Sequence, residues 1–272
     1  MDPLADLLIA SRHGDNMIIS HAHRYLFIEV PQTASSALAT ELVECYEGRR
    51  ILLKHSDYSE FLRHATSKMK TYRVLATVRN PLDIVVSKFV KARDDHKKLY
   101  AEGGAQNAPW GFRFRPEARE RAFISKHGPD FERFVRHFYS HVYNNRACLL
   151  PPSATVLRYE NLDNDFSAWL REMGISVVRP IPRKNQTTGR ERGFNDWYSG
   201  DLRQHALKVF GPYMRKWGYE FPTDWAEPSV SALTEAWFGI DSAARRFYMK
   251  NIHYGWVMPT AQRRTIDAPQ EK

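Results

Sequence analysis

Apolar residues in this chain follow two rhythms. Short runs rich in β-branched and aromatic residues, at 25–30 (YLFIEV), 51–55 (ILLKH), 72–78 (YRVLATV) and 155–159 (TVLRY), have the length and composition of buried strands. Elsewhere apolar positions recur every three or four residues. Leu38, Leu42 and Cys45 do so, as do Phe61, Leu62 and Ala65, then Phe131, Phe134, Val135 and Phe138, and later Phe166, Leu170 and Met173. That spacing predicts amphipathic helices, including one over 130–146 and one over 197–217. A further helix over 230–250 is expected to turn Leu233, Trp237, Ala244 and Phe247 inward. At the start of the chain, 4–12 reads as a short helix and 17–19 as an apolar stretch leading to His21 and His23. Strands alternating with helices predict an α/β fold, a central mostly parallel sheet flanked by helices. No internal repeat appears, so one domain over 1–272 is expected, with a disordered tail at 262–272.

Two strand ends carry chemistry. The first strand is closed by Pro31 and followed by Gln32, Thr33, Ala34, Ser35 and Ser36 before helical spacing begins. Ser35 or Ser36 can cap the helix, and the free N–H groups of its first turn, its dipole and the hydroxyls converge on a point that suits an anion. The strand at 72–78 runs into Arg79-Asn80-Pro81-Leu82-Asp83, with Pro81 suited to a first helical turn and Asp83 to the dipole. Arg79 then sits at a strand end with Ser87 two turns into the helix, and an arginine fork plus a hydroxyl suits a phosphate monoester.

The P-x-T-x-S-S of residues 31–36 and the R-N-P-x-D-x-x-x-S of residues 79–87 resemble the two cofactor loops of sulfotransferases that use 3′-phosphoadenosine 5′-phosphosulfate (PAPS). The V-L-R-Y-E-N-L at 156–162 is similar to a strand of that family, and 190–197 (RERGFNDW) is loosely similar to its R-K-G-x-x-G-D-W segment. The resemblance implies a P-loop-like three-layer fold, PAPS as co-substrate, no metal, and a small-molecule or carbohydrate acceptor. It assigns residues 31–36 to the 5′-phosphosulfate, Arg79, Ser87, Arg190 and Arg192 to the 3′-phosphate, and Tyr159 to the adenine. His55, after Lys54 at the end of what reads as a parallel strand, is the expected general base, since imidazole removes a proton near neutral pH. The pattern-poor segment 94–128 is the expected acceptor insertion, with Trp110, Phe112, Arg113 and Arg115 as contacts. A third loop, 180–197, folds over the cofactor in this reading.

One position departs from the family. Gln32 stands where lysine is usual, beside the oxygen that gains charge as sulfur leaves. Losing one such donor can cost on the order of 3 kcal/mol, roughly a hundredfold in rate. Three outcomes follow: Lys54 or another cation substitutes, turnover is slow, or the site binds PAPS without turnover; substitution is the expected one.

Composition narrows the setting. The formal charge of +9 favours an anionic ligand, and because the 40 lysines and arginines are spread along the whole chain it argues for a PAPS-sized polyanion over nucleic acid. No apolar run nears the ~20 residues that span a bilayer, and the first residues lack a signal-peptide profile, so the expectation is a cytoplasmic protein without membrane insertion. Two cysteines, Cys45 and Cys148, make no disulfide framework. Two other classes stay open at this point. A P-loop-like nucleotide kinase would use the same strand–loop–helix but lacks G-x-x-x-x-G-K-[ST] here, and a non-catalytic binder of nucleotide or nucleic acid would explain Gln32.

Overall fold

Met17–Ser20 and Tyr25–Ile28 are buried at every position, which a strand achieves only when both faces of its sheet are covered. They open a computed structural model that describes residues 17–52, 56–95, 116–182, 193–225 and 230–252. In chain order the strands are β1 (Met17–Ser20), β2 (Tyr25–Ile28), β3 (Arg49–Ile51), β4 (Arg73–Val78) and β5 (Thr155–Arg158). The helices are α1 (Ser35–Cys45), α2 (Tyr58–His64), α3 (Pro81–Arg93), α4 (Pro116–His127), α5 (Phe131–Phe138), α6 (Leu162–Glu172), α7 (Asp201–Lys216) and α8 (Ala232–Tyr248). This is an α/β fold, a mixed sheet flanked by helices. Its contacts divide the chain into two units, one of 1–79, 145–184 and 241–272, the other of 80–144 and 185–240.

The first unit holds the whole sheet, in the order β3-β1-β2-β4-β5. β2, β4 and β5 pair in parallel, while β1 is antiparallel to both β2 and β3. β3 therefore runs in the same direction as the parallel trio without pairing with it. Tyr25, Phe27, Leu75 and Leu157 pack with Leu38 and Leu42 of α1 and Phe166, Trp169 and Leu170 of α6. Tyr25 satisfies its buried hydroxyl by donating to the Tyr46 carbonyl at 2.8 Å. Gly48 lets the chain turn from α1 into β3, because a Cβ there would lie 2.6 Å from both the Leu42 carbonyl and Ile18.

The second unit is built on aromatic packing. Phe89 of α3 meets Phe131 and Phe134 of α5 edge to face at 5.3 Å and Trp197 at 5.6 Å. Tyr198 donates to the Leu82 carbonyl at 3.1 Å. An ion pair joins half-buried Lys88 to buried Glu120, beside a cavity of about 170 Å³ that Phe138 and Tyr139 also line.

Several sequence expectations change here. The strand read at 51–55 is Arg49–Ile51, paired antiparallel with β1. The helix read at 130–146 stops at Phe138, because the backbone beyond it bonds to α7 instead. His205 Nε2 lies 2.8 Å from the Tyr139 carbonyl, and Tyr143 N–H donates to Val209 at 2.8 Å. The helix read at 197–217 begins at Asp201, after a 3₁₀ turn at Phe194–Trp197 and Gly200 at φ 50°. The segment 94–128 is not featureless, since Pro116–His127 is helical. His21 and His23 lie in the turn after β1, with His21 Nδ1 3.0 Å from the Tyr72 hydroxyl. Helix α8 is present, but Leu233, Trp237, Ala244 and Phe247 are exposed rather than inward. No helix among the described residues is long and apolar enough to cross a membrane.

Candidate active site

Parallel neighbours deliver their carboxyl ends to one edge of a sheet, where ligands of open α/β proteins bind. In the first unit that edge receives three segments: residues 29–34 after β2, Arg79 after β4, and Tyr159 after β5.

The loop after β2 is held by its one buried threonine. The Thr33 hydroxyl donates to the Val30 carbonyl at 2.7 Å and lies 2.6 Å from the Thr77 hydroxyl of β4. With its proton committed to Val30, Thr33 accepts from Thr77. Thr33 is fully buried, so its hydroxyl fixes the loop from beneath. On either side of it, Gln32 at φ 70° and Ala34 at φ 59° are left-handed. Left-handed residues interspersed in a turn curl successive N–H groups into a concave ring suited to an anion. Helix α1 then starts without a side-chain cap, on Ser35, which is buried, and Ser36, which is exposed. First-turn N–H groups need partners from outside the helix. Among the described residues, none accepts from those of Ser35 and Ser36. Pro31 and Gln32 are exposed beside them.

Arg79 is 8% exposed and bridges the three segments. Its guanidinium donates to the Gln32 carbonyl at 3.4 Å and lies 4.3 Å from the ring centroid of Tyr159. Stacking on Tyr159 fixes the plane of the guanidinium. Tyr159 itself stands in a 3₁₀ turn after β5, where sequence had placed the end of the strand.

Glu29 and Arg50 enter the site without having been read from the sequence. The Glu29 side chain, 6% exposed, accepts from Ser36 Oγ at 3.4 Å and lies 3.6 Å from Arg50 of β3. A single acid inside the apolar run YLFIEV was the available signal.

In the second unit, Ser87 is buried two turns into α3. That helix opens with Asn80 accepting from Leu82 N–H at 2.9 Å and with Pro81 at its first position. Lys54 and His55, Arg190 and Arg192, and Trp110, Phe112, Arg113 and Arg115 lie outside the described residues.

A strand, a curled loop and a helix without a side-chain cap, crossed by an arginine from the next parallel strand, are the parts of an α/β fold of the P-loop-like kind. Comparison with known families matches the sulfotransferase family over residues 15–220, and the chain belongs to that family. It is thus a transferase, of the class that moves sulfuryl groups. No curated protein and no solved structure matches.

Proposed function

We propose that the chain transfers a sulfuryl group from PAPS to a hydroxyl of a small-molecule or carbohydrate acceptor. The observation that carries this reading is Arg79, bound to the loop after β2 and stacked on Tyr159. The donor set fits the co-substrate. The N–H groups at Gln32–Ser36 suit the 5′-phosphosulfate, Arg79 suits a phosphate monoester, and the Tyr159 ring suits an adenine. Ser87, Arg190 and Arg192 join the 3′-phosphate in this reading by resemblance alone.

Sulfuryl transfer resembles phosphoryl transfer in its loose in-line transition state, so catalysis rests on positioning and on neutralising charge. The S–O bond to the phosphate breaks as an acceptor oxygen bonds to sulfur, the acceptor's proton passes to a base, and 3′,5′-adenosine bisphosphate leaves. His55 is that base in our reading. Glu29 is the second candidate, because its carboxylate lies beside Ser36. A histidine base makes kcat rise with pH through about 6.5 and collapse in His55→Ala. A Glu29 base would leave His55→Ala active and abolish turnover in Glu29→Gln.

Gln32 asks for a cation from elsewhere. Lys54 fills that role in our reading, and a fully active Lys54→Ala would overturn it. A nucleotide binder without turnover is the second reading, and Gln32 is what favours it.

The test is calorimetric titration with 3′,5′-adenosine bisphosphate and with 5′-AMP. We expect micromolar binding of the bisphosphate and, in Arg79→Ala, a loss of about 30-fold, equivalent to ~2 kcal/mol for a charge-assisted contact. Equal affinity for 5′-AMP, or an Arg79→Ala variant that binds normally, would reject the cofactor assignment.

A further inference from the structure

Helix α8 buries Thr234, Phe238 and Ser242, two of them hydroxyl-bearing, and turns its large apolar residues to solvent. Leu233, Trp237, Ile240 and Phe247 are 69, 57, 57 and 62% exposed. With Ala244 they follow one another at steps of four, three, four and three, which lays them along a single ridge. Beside the ridge run Ala232, Ala236, Gly239 and Ala243, all exposed, as a shallow channel of small side chains. A contiguous apolar band of this kind marks an interaction surface more often than a solvated one.

Gly239 is an independent pointer. Glycine inside a helix is destabilising relative to alanine, yet a Cβ at Gly239 would meet nothing within 4 Å. Nothing in the described chain calls for a glycine there. Close approach of a second helix backbone does.

We propose that this face is a two-fold interface in which α8 packs antiparallel against α8 of a second copy, centred on Ile240. The band is self-complementary about that residue, as an isologous contact requires. Leu233 and Phe247 stand seven residues to either side and come opposite one another. Trp237 of one copy comes opposite Ala243 and Ala244 of the other, large against small. Charge agrees with the pairing. Glu235 and Arg246 share one flank of the helix, and antiparallel two-fold packing brings like flanks together, so Glu235 of one copy meets Arg246 of the other. Glu235 already pairs with Arg215, and the contact sets its carboxylate between two guanidiniums. An anionic membrane surface is the poorer occupant, because Glu235 and Asp241 border the band and anionic headgroups would repel them.

Sedimentation equilibrium of the full chain tests this. We expect a species of twice the 31.7 kDa chain mass at micromolar concentration. Gly239→Leu, which meets open space in the monomer but fills the channel, should raise the dimer dissociation constant about tenfold, with an unchanged circular dichroism spectrum. Trp237→Glu should do the same. Ile240→Cys lies on the axis and should oxidise to a covalent dimer. Leu233→Cys should not, because the two copies of that position would stand about 21 Å apart along the helix at 1.5 Å per residue. A monomer at every concentration would overturn the proposal, whether or not it binds anionic vesicles. So would a dimer indifferent to both Gly239→Leu and Trp237→Glu, or cross-linking through Leu233→Cys in preference to Ile240→Cys.

Discussion

β4 passes into α3 through Asn80 and Pro81, and β2 passes into α1 through Gln32, Thr33 and Ala34. The first passage is relaxed. Asn80 accepts from Leu82 N–H at 2.9 Å, Pro81 occupies the first helical position, and Asp83 lies in the first turn against the helix dipole. The second passage is strained. Two of its three residues are left-handed without being glycine, at about 1–2 kcal/mol each, and its helix has no side-chain cap. Adjacent parallel strands of one sheet thus end in opposite ways. A junction whose purpose is to start a helix satisfies its N–H groups internally. The junction after β2 holds a left-handed backbone and, among the described residues, leaves the N–H groups of Ser35 and Ser36 without acceptors, the kind of local strain that clusters at ligand sites.

The strain persists only because something fixes the loop, and the Thr33 hydroxyl is the part most firmly placed. Thr33→Val keeps the shape but strands the Thr77 hydroxyl and the Val30 carbonyl in the interior. We expect a loss of about 2–3 kcal/mol in denaturant unfolding. Adding Thr77→Val should return part of that loss, because removing both partners of a buried bond is cheaper than removing one. A Thr33→Val protein as stable as the wild type would show that the loop is not clamped from below.

Ala34 probes the strain itself. A β-branched side chain at φ 59° is disfavoured further, so Ala34→Val should cost about 2 kcal/mol, whereas Ala34→Gly should be neutral or stabilise by up to about 1 kcal/mol. If both variants matched the wild type in thermal melts, the loop would not be strained and the contrast with the β4 junction would lapse. Asn80→Ala addresses the relaxed side. It should cost about 1 kcal/mol, roughly 2–4 °C in Tm for a chain of this size, through loss of one cap.

The contrast also explains what the sequence could and could not convey. The β4 junction was legible because Pro81 and Asp83 each prefer the place they occupy. The loop after β2 was legible as a strand–loop–helix anion site, but its left-handed backbone was not, since glutamine and alanine carry no preference for it, and the expected Ser35 or Ser36 side-chain cap is not made. Helices α1, α2 and α6 followed their periodicity. Periodicity failed where tertiary bonds outweighed it. The backbone after Phe138 is claimed by α7, which no local pattern reveals. On α8 the period was right and the face was wrong, since Thr234, Phe238 and Ser242 are buried while the apolar stripe is exposed. Glu29 and Arg50 were missed since their meeting depends on β1 passing between β2 and β3 in the sheet.

Asp57 supplies the finest test, because it caps a third helix start with a charge instead of an amide. It accepts from Ser59 N–H at 2.9 Å and Glu60 N–H at 3.2 Å while almost wholly buried. Burial pushes its carboxyl above the ordinary value, and the two N–H bonds and the Arg146 charge only partly offset that. The folded state therefore holds this proton more tightly than the unfolded chain. Stability from Asp57 is greatest below the ordinary carboxylate pKa and falls as pH rises from there through the raised folded value. Asparagine caps a helix about as well as aspartate and does not titrate, so Asp57→Asn should keep α2 and remove that part of the pH slope. If the slope survived in Asp57→Asn, the buried cap would be ionised at no cost, and the charged helix start would be as relaxed as the one at Asn80.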